Sequence, residues 1–588
     1  MTTVTPTSVA SATGPRRSAK RSKGERLVPF ISAAIAVAVA VVVLPSALRP
    51  PQDQPTTSGA FSPDAPPDPK QQSLFASFNS AKSGTAAGVD EIPTTTTLPG
   101  TPPPPPPGVT TTVPAKKKAA SACPFGFGTP PRQVESVYAP PCAPAFVGSN
   151  GGATAPGVTP TEINQCFLME LTGTTSNGRI PSPPAPGASA AARTYGVFEQ
   201  YFNSRLQLYG RQLRFYYSAG DGSKTGDENE RARAAQAEES FHCFSAIQET
   251  QPASSDELAR RKIFTFTLAQ TPESYFAAHD PYLWSFSPTA DQATRLGSEY
   301  ACKRLVGKPP IYTDNKPPLI DQTKPRKWGI VVYSLPAYDN QTEKIKKAFQ
   351  ACGADVVATV EYNLTGSQSG TTGLSTAMTQ LKAAGATTVA YFGDLISAAV
   401  MTEAATSNDY YPEWFLPGFG GVDTGHVARQ AYDTKQWKHA FGFSFYEITQ
   451  PDQETECYKA YHEIDPSGQP DAGICTYMWG DMIQLFGAMQ QSGAALTPQS
   501  MKAALLRQPP LKPTIPYTMA GGYSATDHTY PDYGAEIWYS LTALGSDGQP
   551  GTYCFTNGGK RYTYGQWPQE DPKGLFNECT NLAPAARG

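Results

Sequence analysis

Histidine is scarce in this chain, and neither sign of charge dominates it. The six histidines among 588 residues never lie four residues apart, so no His-Glu-x-x-His zinc motif is present. Gly-x-Ser-x-Gly, Cys-x-x-Cys and phosphate-binding Gly-x-x-x-x-Gly-Lys motifs are also missing. A formal net charge of −3 gives no basic face for nucleic acid. We therefore predict a protein that is not an enzyme, needs no cofactor and binds no nucleic acid.

Cysteine is missing from the first 122 residues, whereas ten cysteines follow. An even number of cysteines in an exported chain predicts disulfides rather than metal or redox chemistry. The candidates are Cys123, Cys142, Cys166, Cys243, Cys302, Cys352, Cys457, Cys475, Cys554 and Cys579. Their connectivity cannot be deduced from the sequence.

An uncharged apolar run occupies residues 27–48, directly after a basic stub at residues 1–26. Its 22 residues, at about 1.5 Å of rise each, can span the ~30 Å hydrocarbon core of a bilayer. Positive charge stays on the cytoplasmic side, so the remainder of the chain is predicted to be exported. We expect a single-pass membrane protein with an extracellular or cell-wall-side ectodomain. The alternative is a cleaved signal peptide and a secreted product.

Residues 49–122 are rich in Pro, Thr, Ser, Gly and Ala, with six consecutive prolines at 102–107. Such a segment buries too little apolar surface to offset the entropy of ordering it. We predict a disordered tether that its prolines stiffen toward polyproline II. A Cys-containing lead-in at 123–156 follows the tether.

Short apolar strands alternate with amphipathic helices after residue 157. Residues 163–171 are a strand candidate, and residues 188–210 are a helix candidate with aromatic side chains at helical spacing. Five prolines interrupt the pattern at 306–326, and a second series of strands and helices begins at residue 328. This repetition predicts an α/β fold of two doubly wound, Rossmann-like lobes. Ligands on such sheets bind beyond the carboxyl ends of the strands, which places a site in the cleft between the lobes.

The ordered phrases of this region resemble the type I periplasmic solute-binding proteins of the branched-chain amino acid (leucine-binding-protein-like) kind. The resemblance runs from about residue 157 to about residue 565. The resemblance rests on five segments: GVTPTEI at 157–163, YLWSFSPTADQATRLGSEYACKRL at 282–305, WGIVVYSLPAYDNQTEKIKKAFQACGADVVATVEYN at 328–363, TQLKAAGATTVAYFGD at 379–394 and TYMWGDMIQLFGAMQQSGA at 476–494. The resemblance implies a small solute held between two hinged lobes.

The resemblance also implies three hinge crossovers, at residues 306–326, near 441–447 and after about 520. The expected segments are a cytoplasmic stub (1–26), a transmembrane helix (27–48), the tether (49–122), the lead-in (123–156), lobe 1 (157–310 with about 448–520), lobe 2 (327–440 with about 533–565) and a C-terminal tail (566–588).

Family contacts to the solute carry over to loops that follow the strands. The expected ligand-binding residues are Thr172, Gly173, Gln251, Ala269, Gln270 and Thr271 in lobe 1, and Tyr338, Asp394 and Phe419 in lobe 2. Phe419 departs from the family, because amino acid binders place an acidic residue there to hold the α-ammonium group. A buried ammonium without a partner costs several kcal/mol, so an amino acid ligand is disfavoured unless Asp394 or Asp423 substitutes. Phe419 would instead suit an apolar or aromatic ligand face.

The implied fold also suggests disulfide pairs. Cys166 and Cys243 fall on strands that should be neighbours. Cys457 with Cys475, Cys554 with Cys579, and Cys123 with Cys142 are close in sequence. The remaining two, Cys302 and Cys352, would form a pair across the lobes that limits their opening.

Three functions are compatible with the sequence. The first is capture of a small-molecule solute for an ABC-type importer, with an ABC permease as partner. The second is a membrane-tethered ligand sensor without a transporter. The third is a structural or interaction protein of the cell surface that kept the fold. The family resemblance favours solute capture.

Overall fold

The computed structural model describes residues 130–168, 178–221, 223–224, 226–248, 251–363, 371–514 and 517–583. The expected transmembrane helix and tether, together with Cys123, Thr172 and Gly173, lie outside these residues. Within the described ranges, no helix combines the length and the apolar character needed to cross a membrane.

Helices and strands alternate through most of the described chain. The strands are β1 (Glu162–Leu168), β2 (Gln212–Tyr217), β3 (Ser245–Gln248), β4 (Phe264–Thr267), β5 (Leu283–Trp284), β6 (Lys327–Tyr333), β7 (Asp355–Tyr362), β8 (Thr388–Phe392), β9 (Glu413–Pro417), β10 (Ala440–Ser444), β11 (Gly534–Leu544), β12 (Pro550–Phe555) and β13 (Arg561–Tyr562). The helices are α1 (Ala190–Arg205), α2 (Gly226–Glu239), α3 (Pro252–Arg260), α4 (Glu273–Ala278), α5 (Ala290–Arg304), α6 (Gln341–Gln350), α7 (Thr371–Ala383), α8 (Leu395–Ser407), α9 (Gly425–Ala431), α10 (Thr434–Trp437), α11 (Glu456–Ile464), α12 (Trp479–Ser492) and α13 (Pro498–Arg507).

The first lobe is built on a parallel sheet of strand order β2-β1-β3-β4-β5. Its core joins residues that are distant in sequence: Phe215 of β2 stacks on Phe486 of α12 at 5.6 Å. Strands β4 and β5 are short, with four and two residues. The loop that follows β4 reaches the second lobe through Gln270.

The second lobe is built on a sheet of order β12-β11-β10-β9-β8-β6-β7, with β13 beside β11. Strands β6 to β10 are parallel, whereas β11 runs antiparallel to β10. The prediction that the final stretch of the chain returns to the second lobe is confirmed. The α/β class and the two-lobed architecture are also confirmed.

Helix α5 lies on the second sheet, although the predicted first crossover follows it. Its start is set by a reciprocal cap, in which Thr289 Oγ1 accepts from Gln292 N and Gln292 Oε1 accepts from Thr289 N. Tyr300 of α5 then stacks on Phe415 of β9 at 5.5 Å. The chain therefore crosses between the lobes at residues 285–289, and the expected crossover at 306–326 is wrong.

Two further crossovers complete the connection between the lobes. One runs between β10 and α11, close to the predicted position at 441–447, and one runs between α13 and β11. The first and third crossovers lie side by side, because Ser285 N donates to His528 O at 3.0 Å and Tyr530 N donates to Ser285 O at 3.1 Å. Three crossovers thus connect the lobes, the first of them at a different position from the expected one.

Four disulfides join described cysteines. They are Cys166–Cys243, Cys302–Cys352, Cys457–Cys475 and Cys554–Cys579, as expected, and Cys142 is also disulfide-bonded. The expected position of Cys302–Cys352 across the lobes is wrong. Cys302 lies in α5 and Cys352 follows α6, and both helices pack on the second sheet. This disulfide therefore stabilises one lobe and does not limit opening.

The lead-in segment packs against the hinge through Tyr138. Its hydroxyl donates to Glu447 Oε2 in the second crossover at 2.7 Å and accepts from Met519 N in the third at 2.9 Å. Its ring lies 5.3 Å from that of Phe286 in the first crossover. One side chain of the lead-in therefore contacts all three crossovers.

Replacing Tyr138 by Phe should destabilise the protein through loss of the hinge hydrogen bonds. The variant keeps the ring contacts but leaves Met519 N without its partner, so we expect the free energy of unfolding to fall by about 1–3 kcal/mol. Chemical denaturation of the variant beside Tyr564→Phe, whose ring is exposed, measures the effect. Equal stability of the two variants would contradict the assigned contact.

A buried ion pair links the Pro-rich segment 306–326 to the second sheet. Arg326 Nε and NH2 donate to Glu413 Oε2 and Oε1 at 2.7 and 3.0 Å, and both side chains are excluded from solvent. Glu413 also accepts from Thr388 Oγ1 at 2.7 Å and from Tyr312 N at 3.0 Å. Every carboxylate oxygen is thus bonded, which is the condition for a buried pair to persist.

Removing one member of this pair should be strongly destabilising. Arg326→Ala leaves Glu413 buried and uncompensated, so we expect a loss of about 3–5 kcal/mol in the free energy of unfolding. The exposed pair Arg260–Glu257 provides the matched control, and Arg260→Ala should cost less than about 1 kcal/mol. Similar losses in the free energy of unfolding for both variants, measured by denaturant titration, would contradict the assigned burial of the Arg326–Glu413 pair.

Candidate functional site

The carboxyl ends of the two parallel sheets meet between the lobes. Gln270, in the loop after β4, accepts a hydrogen bond through Oε1 from Gly420 N, in the loop after β9, at 2.6 Å. This bond joins the two lobes directly. The candidate site is therefore built from the loops that follow β4 and β5 on one side and β8, β9 and β10 on the other.

Gly420 is required by the close approach of two second-lobe loops. Its φ of +70° lies in the left-handed region, and a Cβ atom there would stand 1.9 Å from Gly393 O. With no side chain, the backbone of 418–421 can lie directly on the loop that carries Asp394. This packing leaves Gly420 N pointing at the first lobe.

The predicted lobe 1 residues divide into two groups. Gln270 and Thr271 are buried, and Gln270 Nε2 and Thr271 Oγ1 form no hydrogen bond within the described residues. Ala269 precedes them and is held by its backbone N–H, which donates to Thr267 Oγ1 at 3.0 Å. Gln251 stands at the start of α3, and no hydrogen bond between described residues joins it to the others. The structure thus brings Gln270 and Thr271 to the cleft.

Asp394 is occupied by bonds within its own lobe. One carboxylate oxygen caps α8 by accepting from Ile396 N and Ser397 N at 2.8 and 2.9 Å. The other accepts from Tyr362 OH at 2.6 Å. A carboxylate with these three donors is poorly placed to pair with a ligand cation, so its proposed substitution for the family acid loses support.

Tyr338 and Phe419 pack as neighbouring aromatic side chains. Each is about 4% exposed, their ring centroids lie 6.3 Å apart, and Phe419 also lies 6.4 Å from Phe392. The structure places these two predicted residues together on the second lobe. Their contact with a ligand stays a prediction, since both rings belong to the core beneath the loops.

Asp423 is the unpaired acid of the site. It follows β9, is 8% exposed, and neither carboxylate oxygen forms a hydrogen bond within the described residues. Burial raises the pKa of Asp423 to about 6 from its usual 3.8, and the nearby hydroxyl of Ser444 limits this rise without completing a hydrogen bond. The sequence suggested Asp423 only as a substitute for Phe419, whereas the structure makes it the more available acid.

Tyrosines from both lobes face Asp423. Burial chiefly, and the Asp423 charge in part, raise the pKa of Tyr432, Tyr446 and Tyr477, the last to about 12. The hydroxyls of Tyr432 and Tyr477 form no hydrogen bond within the described chain. We call Asp423, Tyr432, Tyr446 and Tyr477 the tyrosine box.

Tyr477 is the member of the box that comes from the first lobe. It lies in a wide helical turn, Ile474–Met478, that precedes α12. Its ring lies 6.2 Å from that of His426 in α9, across the cleft. The sequence analysis missed both Tyr477 and Tyr446. The wide turn that aims Tyr477 at the second lobe has no simple sequence pattern.

Comparison with known proteins identifies the fold family. The periplasmic binding protein family matches residues 182–529, more than half of the chain. The chain belongs to this family of type I periplasmic binding proteins. The resemblance seen in the sequence is thus confirmed. No curated protein sequence matches the chain.

Solved structures with this architecture are distant in sequence. A fatty acid ABC transporter substrate-binding protein from Thermomonospora curvata is 14% identical, with a TM-score of 0.49 over 71% of this chain and 96% of that one. An ABC transporter solute-binding protein from R. palustris, in complex with 4-hydroxybenzoate, is 13% identical, with a TM-score of 0.46 over 69% and 98%. A substrate-binding protein from Aeropyrum pernix is 14% identical, with a TM-score of 0.48 over 69% and 97%. At these identities and TM-scores the likeness does not indicate what this chain binds.

Ionisation of Asp423 should destabilise the solute-free protein. Between about pH 4 and pH 6 the folded state holds a proton that the unfolded state has lost, so stability falls as pH rises through this window. A rise of about two pKa units corresponds to at most about 3 kcal/mol at neutral pH. Asp423→Asn should therefore raise the melting temperature at pH 7.5 and change it little at pH 4.

The exposed Asp355 offers a matched control for this measurement. Asp355→Asn removes one carboxylate without burial, so its melting temperature should follow that of the unmodified protein at both pH values. A melting temperature for Asp423→Asn that stays unchanged at pH 7.5 would mean that Asp423 is solvated or paired.

Proposed function

We propose that this protein captures a small solute in the cleft between its lobes, outside the cytoplasm, as the substrate-binding component of an ABC-type importer. Membership of the periplasmic binding protein family supports this function. The observation that carries it is the convergence of unpaired buried polar atoms from both lobes on one cleft.

These unpaired atoms are costly unless something binds them. Gln270 Nε2 and Thr271 Oγ1 of the first lobe, and the Asp423 carboxylate of the second, are buried without partners. Native proteins pair the large majority of such groups, because each unpaired one costs about 1–3 kcal/mol. A solute with several polar groups would satisfy atoms of both lobes at once and so favour the closed arrangement.

The hinge provides the movement that such capture requires. Three crossovers connect the lobes, and the Cys302–Cys352 disulfide lies within one lobe, so no covalent link other than the backbone joins the lobes among the described residues. Contacts across the cleft include the Gln270–Gly420 hydrogen bond. Opening would break this bond and admit the solute.

A thermal-shift screen tests solute capture. Amino acids, amines, amides, short peptides, polyols, sugars and aromatic acids would be added to the purified ectodomain, residues 123–588, kept oxidised. A solute that binds only the folded state should add about 2.7 kcal/mol of stability at 100 times its Kd. Absence of any shift, with no solute retained after gentle purification and mass spectrometry, would contradict the proposal.

Thr271→Val tests whether the cleft is where the solute binds. The change keeps the side-chain shape and removes a hydroxyl that has no partner in the described protein, so the solute-free fold should be preserved. The shift produced by the solute should fall, whereas Thr379→Val on an exposed helical face should leave it intact. A full shift in Thr271→Val would place binding elsewhere.

Gene neighbourhood separates an importer from a tethered sensor. Adjacent genes for a permease and an ATPase would support import, since capture is useful to a cell only when a transporter receives the solute. A neighbouring histidine kinase or other signalling gene would favour a sensor with the same binding cleft.

A further inference from the structure

The chemistry of the tyrosine box indicates which class of solute it takes. Resting on the proposed solute-binding function, we propose that the solute is an organic amine whose positive charge pairs with Asp423, with no carboxylate next to the amine. This assignment goes beyond the family, whose branched-chain amino acid binders hold zwitterions.

The first observation is that Asp423 has no positively charged partner among the described residues. Among the described residues, no lysine, arginine or histidine forms an ion pair with Asp423, and both of its oxygens are unpaired. The Asp423 charge acts on Tyr432, Tyr446, Tyr477 and Tyr553, from both lobes. Two basic side chains lie beside the box: the ring of His426 is 6.2 Å from that of Tyr477, and Arg561 donates to the backbone oxygens of Phe445 and Tyr446. Burial lowers the pKa of His426, which favours its neutral form, and Arg561 is bonded to backbone oxygens, so neither pairs with the Asp423 carboxylate. A cation brought by the solute would.

The second observation is a further acid on the first-lobe side. Asp481 of α12 is 1% exposed; its Oδ1 accepts from Phe286 N at 3.3 Å, and its Oδ2 has no partner within the described residues. Burial chiefly, and the charges of Asp423 and Asp481 in part, raise the pKa of Tyr446. Burial raises the pKa of Asp481 well above its usual range, which favours the neutral acid, and neither form of this carboxyl offers a positive charge to an anionic solute.

The third observation is the aromatic lining. The faces of tyrosine rings attract cations, and rings arranged about a carboxylate are a recurring solution for binding amines. Tyr477 reaches the box from the first lobe, so closure would bring its ring to the bound cation. A carboxylate adjacent to the amine would meet Asp423 at short range and be repelled.

The two positions that the sequence suggested, Phe419 and Asp394, are less suited to pairing with an amine. Phe419 packs against Tyr338 in the second-lobe core. Asp394 caps α8 and accepts from Tyr362. The acidic function thus lies four residues beyond Phe419, at Asp423. The neutral groups Gln270 Nε2 and Thr271 Oγ1 are available for a hydroxyl or amide at the other end of the solute.

Matched compounds that differ mainly in charge test the proposal. The sets are benzylamine, benzyl alcohol and benzoate; putrescine, butane-1,4-diol and succinate; and isopentylamine with leucine, its zwitterionic counterpart. We expect thermal shifts and calorimetric binding at pH 7.5 to be confined to amines. Binding should weaken below about pH 6, where Asp423 takes up a proton.

Variants separate this proposal from solute capture itself. Asp423→Asn should weaken binding of the amine by more than about tenfold, and Asp355→Asn should leave it unchanged. A carboxylate or leucine that binds with equal strength, and whose binding Asp423→Asn preserves, would overturn the amine assignment while supporting solute capture. Absence of binding by every compound, with no retained solute, would overturn both.

Discussion

Parallel pairing of strands is the constraint on which the rest of this structure depends. In both lobes the carboxyl ends of the parallel strands lie at one edge of the sheet, so the loops that follow them share a face. Three crossovers hold these two faces opposite each other, and Tyr138 of the lead-in contacts all three. Gln270, Thr271 and Asp423 then lie on loops that border the cleft as a consequence of topology, although they are far apart in sequence.

The cleft retains polar groups that the cores of the lobes exclude. The buried Arg326–Glu413 pair shows how this chain treats an acid that serves the fold, since every oxygen of Glu413 is bonded. Asp423 is buried to a similar degree and has no such partners. Burying Asp423 without a partner lowers the stability of the solute-free protein, and binding of a ligand restores it. A binding role therefore explains why a buried acid is kept despite the cost of its desolvation.

Much of the fold was predictable because hydrophobic periodicity reports which faces are buried. The lobes, the returning strands after residue 533 and the four disulfides between described cysteines followed from pattern and resemblance. The first crossover did not, because the apolar face of α5 does not say which sheet it covers. From the sequence, Asp394 was expected to be free to pair with a ligand. Its hydrogen bond from Tyr362 could not be foreseen, because only folding brings the two residues together. The direction of the Tyr477 side chain is set by a wide helical turn. A regular helical period does not predict such a turn.

The most direct test of the account is a crystal structure of residues 123–588 with the strongest amine from the matched sets. The account predicts that the amine nitrogen contacts the Asp423 carboxylate within the tyrosine box, and that Tyr477 and Thr271 of the opposite lobe also contact the solute. Solute density that touches one lobe alone, or an amine paired with another acid and distant from Asp423, would contradict it.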